Sequence, residues 1–180
     1  MEKLVEIPVS SEQIFSGALL KVRRDIVQLP DNNSAVREWI DHPGAAAVVP
    51  VFENGDTVLV RQFRYAPRRT FLEVPAGKLD IPGESPMQVA ARELREETGF
   101  IADDLTPIGA YYPCIGYSSE VIHCFVATGL TPGETAFSHG EFIEVVRMPL
   151  LDAIRRAREG DFDDMKTISA LLRAANHLGL

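Results

Sequence analysis

The stretch from Glu84 to Phe100, ESPMQVAARELREETGF, sets Glu84, Glu93, Glu96 and Glu97 beside Arg92 and Arg95. On a helix Glu93 and Glu97, four positions apart, project in the same direction, and Glu96 lies on the flank of the same stripe. Like charges at this spacing destabilise a bare helix. A hard divalent cation removes that penalty, and an oxygen-only carboxylate set suits Mg²⁺ or Mn²⁺, ions that keep waters and bind substrate phosphates as well. The chemistry indicated is phosphate chemistry at a divalent metal. The competing reading is a solvated acidic face with Arg92 and Arg95 as counterions.

The elements that must position these carboxylates are legible around them. Ser85 as N-cap, Pro86 at the first helical position and Gln88 three residues after the cap form a capping box, and Gly99 supplies the stop. A helix is therefore predicted from Ser85 to about Thr98, with Met87, Ala91, Leu94 and Thr98 on one stripe. Upstream, EQIFSG, ALLKVRRDIVQL and SAVREWIDH, the last two separated by a turn at Asp31-Asn32-Asn33, predict an antiparallel meander. AAAVVPVF and TVLVRQFRY flank Glu53-Asn54-Gly55-Asp56, where the Asn-Gly pair predicts a hairpin between them. Downstream, PIGAYYP, VIHCFVAT and FIEVVRM read as strands, and helices are predicted from about Pro149 to Glu159 and from about Asp163 to Leu178. The fold class is α/β with mixed, not doubly wound, sheets.

Composition bounds the function. With 180 residues, 46% hydrophobic and 24% charged, the chain has the make-up of a soluble globular protein with a real core. A net charge of −8 argues against general nucleic-acid binding, and it repels an anionic substrate unless bound cations and local arginines reverse the field. Cys114 and Cys124 are too few for a disulfide framework. No signal-peptide core and no apolar run of membrane-spanning length is present, so a cytoplasmic location without membrane contact is the expectation.

Glu84, Arg92, Glu93, Leu94, Glu96, Glu97, Gly99 and Phe100 match the signature ExxxxxxxREUxEExGU, with U apolar, at every fixed position, and on these residues the chain resembles the Nudix hydrolases. The departure is in front of the box: Gly77 stands one residue too early, separated from Glu84 by KLDIPG, an insertion in a loop where added length costs little. The resemblance runs from about Gly44 onward and implies an α/β/α sandwich around the box helix. His42-Pro43-Gly44-Ala45, Arg61-Gln62-Phe63-Arg64-Tyr65 and Glu73-Val74-Pro75-Ala76-Gly77 are similar to blocks of the ADP-ribose pyrophosphatase and nucleoside diphosphate sugar hydrolase branch. That branch implies residues 1–43 as an N-terminal antiparallel segment exchanged between two subunits of a homodimer and walling the partner's site, and residues 44–180 as the Nudix domain.

The resemblance also distributes roles. Glu93 and Glu97 match the principal metal ligands, Glu96 contributes in some occupancies, and the Ala76 carbonyl supplies a backbone ligand, with Gly77 allowing close approach. Glu84 and Arg92 are expected to hold each other and orient the helix. Arg61 and Arg64 point to opposite faces of their strand; Arg64 matches the branch's substrate-binding arginine, and a guanidinium fork suits phosphate oxygens. Arg68 and Arg69 are read as solvated loop charges. Glu73 is either a cross-strand ion-pair partner or a group near the metals, and Trp39 either stacks on a base or belongs to the core. Ser138-His139-Gly140-Glu141 resembles the branch's second acidic loop. There Glu141 is the favoured water-activating base and metal ligand, and His139, whose ordinary pKa suits proton transfer, is the alternative. Glu120 matches a glutamate near the reacting phosphates.

Two features bear on the substrate. Ile115 stands where ADP-ribose pyrophosphatases usually show a proline, and Asp164-Met165-Lys166 matches an Asp-x-Lys element at the start of the last helix in nucleoside diphosphate sugar hydrolases. The alternative for Asp164 is a helix cap with a solvated lysine after it. The expected activity is Mg²⁺-dependent (or Mn²⁺-dependent) hydrolysis of a nucleoside diphosphate sugar, with Asp164 and Lys166 on the substrate. An ADP-ribose-selective pyrophosphatase and a non-catalytic nucleotide-sensing domain are the other two readings.

Overall fold

The computed structural model describes residues 4–136 and 142–180. The chain divides into two compact units, one of Met1–Pro43 with Cys114–Glu120 and one of Gly44–Pro113 with Val121–Leu180.

In the first unit β1 (Ile7–Ser16), β2 (Lys21–Gln28) and β3 (Ser34–Ile40) make an antiparallel sheet in that order, the expected meander. Asn32, at φ 67°, closes the β2–β3 turn, with the Asn32 N–H donating to the Leu29 carbonyl at 2.9 Å. β1 begins at Ile7 rather than Glu12. Pro8 is accommodated there because β1 is an edge strand whose pairing shifts register between Pro8 and Ser10, where a missing N–H is tolerated. None of the ten residues of β1 is buried. The segment 114–120 joins this unit through the Ile40 N–H on the Tyr117 carbonyl at 2.8 Å and the Ser119 N–H on the Ile40 carbonyl at 3.1 Å.

The second unit continues with β4 (Ala45–Pro50), β5 (Asp56–Arg64), β6 (Arg69–Glu73), β7 (Ala76–Lys78), α1 (Pro86–Thr98), β8 (Phe100–Ile101), β9 (Asp104–Tyr111), β10 (Ile122–Thr128), β11 (Thr131–Pro132), β12 (Ile143–Pro149), α2 (Leu150–Glu159) and α3 (Met165–Leu178). One sheet has the order β7-β4-β10-β9, with β4 and β10 parallel and the other pairs antiparallel, so it is mixed. A second, antiparallel sheet has the order β12-β5-β6, and β11 pairs with β8.

The predicted β4–β5 hairpin does not form. The turn is made, with the Gly55 N–H on the Phe52 carbonyl at 2.9 Å and Gly55 at φ +83°. Yet β4 pairs with β7 and β10, whereas β5 pairs with β6 and β12. An Asn-Gly turn dictates a reversal of the chain, not a partner. All six residues of β4 are buried, which marks a strand covered on both faces.

That burial places a helix on each side. Ala45, Ala47 and Val49 join Ile154, Leu171 and Ala174 in one core, while Ala46 and Val48 face Val89, Ala90 and Leu94 of α1 in the other. Alternation along one strand thus serves two cores. Helix α1 has the predicted capping box, with the Ser85 N–H on the Gln88 side chain at 2.8 Å, and Gly99 at φ 74° ends it. Its buried stripe differs from the expected one. Leu94 and Thr98 are buried, but Met87 and Ala91 are exposed, and Val89, Ala90 and the Glu97 side chain take the inward arc. Among the described residues no helix is long and apolar enough to cross a membrane.

Candidate active site

The candidate residues of the second unit gather around the short crossing from β6 to β7, where the chain leaves one sheet for the other. Glu73 ends β6 and Ala76 begins β7. Three backbone groups of this crossing have partners on other elements. The Val74 N–H donates to Thr167 Oγ1 at 2.9 Å, the Pro75 carbonyl accepts from the Val48 N–H at 3.0 Å, and the Ala76 N–H donates to Glu97 Oε2 at 3.0 Å. A buried backbone donor left without a partner is costly, so these contacts fix the crossing against α3, β4 and α1 together.

Helix α1 presents its carboxylates to this crossing. Glu97 is buried, at 7% exposure, and reaches the Ala76 amide. Glu93 lies over Gly77 so closely that a Cβ at that position would stand 1.9 Å from Glu93 Oε1. Arg92 gathers the rest, with a fork on Glu84 at 3.2 Å, Nη1 on Glu93 at 2.7 Å and the same atom on Glu96 at 3.0 Å. Burial disfavours the Arg92 charge, but the three glutamates outweigh it and push its pKa up. Glu84 and Arg92 do hold each other, as expected, and Arg92 additionally serves as the counterion of the stripe; Arg95 reaches Glu96 only at 3.7 Å.

The donor set suits a hard divalent cation. Glu93, Glu96 and Glu97 offer oxygen alone, and the glycine cradle brings Glu93 against the backbone of β7, where Ala76 carries its carbonyl. As they stand, with Arg92 on two of the carboxylates, no three His, Cys, Asp or Glu side chains among the described residues converge on one point.

A second cluster is built on Glu73, which is 2% exposed. Arg64 forks onto it with both bonds at 2.7 Å, and Lys166 also donates to it. Burial pushes the Glu73 carboxyl up, and the Arg64 hydrogen bonds and the Lys166 charge more than offset this, holding it below the usual carboxylate range. Arg64 is correspondingly raised, first by its hydrogen bonds to Glu73, with the fields of Glu97 and Asp164 adding to them. The two clusters meet at the crossing, where Glu73 carries one and Ala76, three residues on, is bonded to the other. Asp164 caps α3 and accepts from the Thr167 N–H at 3.1 Å and from Lys166 at 2.9 Å. So Asp164 is a cap, but Lys166 is not solvated: its side chain is 15% exposed and lies between two carboxylates.

Other arginines are accounted for elsewhere. Arg61 points to the other face and pairs with Glu144 at 2.7 Å. Arg68 occupies the β5–β6 turn at φ 56° and stacks on Tyr65, as a loop charge should. Arg69, read as a second loop charge, is a β6 residue paired with Asp163 and lying over Phe71, because the strand starts immediately after the turn.

Trp39 and Glu120 belong to the first unit. The Trp39 indole donates to Asp25 at 2.8 Å with Arg23 over its ring, and Glu120 lies 3.8 Å from His42. Ile115 is 84% exposed. Both cysteines are free; the Cys124 thiol is buried and its pKa is pushed up to about 12 by desolvation. His139 and Glu141 lie outside the described residues. An open cleft lined by Phe52, Asn54, Asp103, Leu130 and Arg147 contains none of the candidate residues. Sequence reasoning passed over Thr167. The signal available was its place three residues after a capping Asp, but its partner Val74 is far away in the chain.

Comparison with known proteins places this geometry among relatives. The model of the NUDIX domain matches residues 41–171. An ADP-ribose pyrophosphatase of Bacillus subtilis (strain 168) is 40% identical over 173 residues, covering 95% of this chain and 93% of that protein. A GDP-mannose pyrophosphatase of Yersinia enterocolitica is 30% identical over 187 residues, covering 96% and 97%. A crystal structure of an ADP compounds hydrolase matches with a TM-score of 0.84 at 26% identity, covering 97% of this chain and 94% of that one.

Proposed function

Because the chain belongs to the Nudix hydrolase family, we propose that it hydrolyses the diphosphate bond of nucleoside diphosphate sugars to a nucleoside monophosphate and a sugar phosphate. The observation that carries the reading is the joining of the α1 carboxylates to the Arg64 and Lys166 cations around one sheet crossing. Relatives named for ADP-ribose and for GDP-mannose support a substrate class of a nucleotide joined to a sugar through a diphosphate.

Glu93, Glu97, Glu96 and the Ala76 carbonyl would hold Mg²⁺ or Mn²⁺, with Glu141 as a further ligand. A bound ion of this kind neutralises diphosphate charge and makes a water more acidic. Glu141 takes the proton of the attacking water, with His139 as the alternative base; the water oxygen bonds to phosphorus as the bridging P–O bond breaks and its oxygen leaves on the other phosphate. Arg64 offers phosphate oxygens the guanidinium N–H groups that its fork on Glu73 leaves over, Lys166 and Asp164 address the sugar-phosphate half, and Glu73 keeps the two cations apart and aimed. The first unit's sheet pairs with that of a second copy, for which the exposed Ile7, Val9, Ile14 and Phe15 of β1 provide an apolar surface.

A panel of nucleotide sugars that includes ADP-ribose and GDP-mannose, run in isotopically labelled water with products identified, tests the reading and shows which phosphorus is attacked. Several members should be cleaved, and Lys166→Ala should lower kcat/KM by roughly 10- to 100-fold, about 1.4 to 2.7 kcal/mol of transition-state stabilisation. The second reading, ADP-ribose selectivity, is favoured by the 40% relative. It prevails if ADP-ribose is preferred by about a hundredfold over every hexose-bearing nucleotide. Non-catalytic sensing is disfavoured because each box carboxylate is present.

A further inference from the structure

Thr167 is fully buried, and both functions of its hydroxyl are in use. It accepts the Val74 N–H at 2.9 Å and donates to Asp164 Oδ2 at 2.5 Å. The same Asp164 oxygen accepts the Thr167 N–H at 3.1 Å and the Lys166 ammonium at 2.9 Å, and Lys166 in turn donates to Glu73, the chain neighbour of Val74. These contacts close a ring: Val74 to Thr167, Thr167 to Asp164, Asp164 to Lys166, Lys166 to Glu73, and back through one peptide bond. The hydroxyl is the member of the ring that spans from α3 to the sheet crossing without carrying charge. It therefore sets how far the first turn of α3 stands from the strand that bears Glu73, while the two carboxylates sharing Lys166 set its neutralisation. The crossing has no alternative donor arrangement at this point, since Pro75 lacks an N–H and the Ala76 N–H is committed to Glu97.

We propose that Thr167 is a positioning residue for substrate binding, its hydroxyl holding Lys166 at the spacing from Arg64 at which the two cations meet a diphosphate sugar. This rests on the substrate role given above to Lys166. The residue acts through others and touches no substrate, so its signature lies in coupling. Substitution should matter only while Lys166 is there to be placed, and a hydroxyl alone should rescue it.

The test compares Thr167→Val, close to isosteric but without the hydroxyl, with Thr167→Ser, each in the wild-type and in the Lys166→Ala background. The readouts are kcat and KM on the best diphosphate sugar of the panel, Tm, and hydrogen exchange of the segment 73–76 in metal-free protein. Thr167→Val should lower kcat/KM about tenfold, mostly through KM, and speed exchange at Val74. Thr167→Ser should stay within about threefold of wild type in both, whatever its Tm. In the Lys166→Ala background the Val substitution should add less than about twofold, the mark of two residues acting on one contact. If Lys166→Ala lowers kcat/KM but Thr167→Val does not, or if the Val effect is undiminished without Lys166, the positioning role is wrong and the substrate role stands. If Lys166→Ala leaves every substrate unaffected, both are overturned. Should Thr167→Val fail to accumulate folded, Thr167→Ala replaces it with the same expectations.

Discussion

Glu73 is a carboxylate with almost no exposed surface and two cations bonded to it, and its sign of charge has a thermodynamic consequence. Its pKa lies lower in the folded chain than in the unfolded one. The stabilisation it gives is present above the ordinary carboxylate range and is lost as pH falls through the lower folded value. Glu73→Gln should therefore be clearly less stable than wild type near pH 7, and the gap should narrow as pH drops from about 5 to about 3, measured by urea denaturation at each pH. A gap constant across that range would mean that folding leaves the Glu73 pKa unshifted, and a gap that widens as pH falls would mean that Glu73 is packed as a neutral acid. Outside the described residues, Glu141→Gln should abolish turnover while leaving substrate binding measurable, and His139→Ala should lose less than about tenfold; the reverse ranking gives His139 the base role. At this scale much was legible. Glu93, Glu96, Glu97 and Arg92 follow from helical spacing, because their relations are local. Lys166 between two carboxylates did not follow, because Glu73 lies on another element and only tertiary packing brings it there.

Among the elements, the fit of α1 on β7 is the narrowest. Gly77 has no side chain, and the space is filled by Glu93. Gly77→Ala should lower stability, since the added Cβ would meet Cγ as well as Cδ and Oε1 of Glu93, and it should reduce turnover by about tenfold or more if that carboxylate is the metal ligand proposed above. Thermal melts and turnover at saturating Mg²⁺ check the two halves separately; a large fall in Tm with turnover preserved would mean that the glycine serves the fold and not the site. The bounds of α1 could be read from Ser85 and Gly99, whose capping chemistry is written in neighbouring residues, and the extents of α2 and α3 from apolar residues at helical spacing. The pairing of β4 could not. Its turn with β5 is a local signal, whereas its partners β7 and β10 are chosen by burial on both faces. The inward turn of Glu97 escaped for a related reason: a stripe chosen by apolarity leaves out a carboxylate buried for an amide partner.

At the scale of the molecule, a chain of net charge −8 must receive an anionic substrate. Attraction must then come from the few cations of the site, and raising ionic strength should weaken substrate binding only modestly because the global repulsion is screened at the same time. The exposed apolar residues of β1 should make the purified protein a dimer by sedimentation, and Val9→Glu with Phe15→Glu should release monomers; a monomeric wild type at micromolar concentration removes that proposal. The crossing from β6 to β7 has its own consequence for how the enzyme dies on heating. Three successive residues are each fastened to a different neighbour, Val74 to α3, Pro75 to β4 and Ala76 to α1. No one of those elements can loosen while the others keep the site intact. Heat inactivation should therefore have no prelude: residual activity and helical signal should fall along one curve, with no temperature window in which a folded but idle enzyme accumulates.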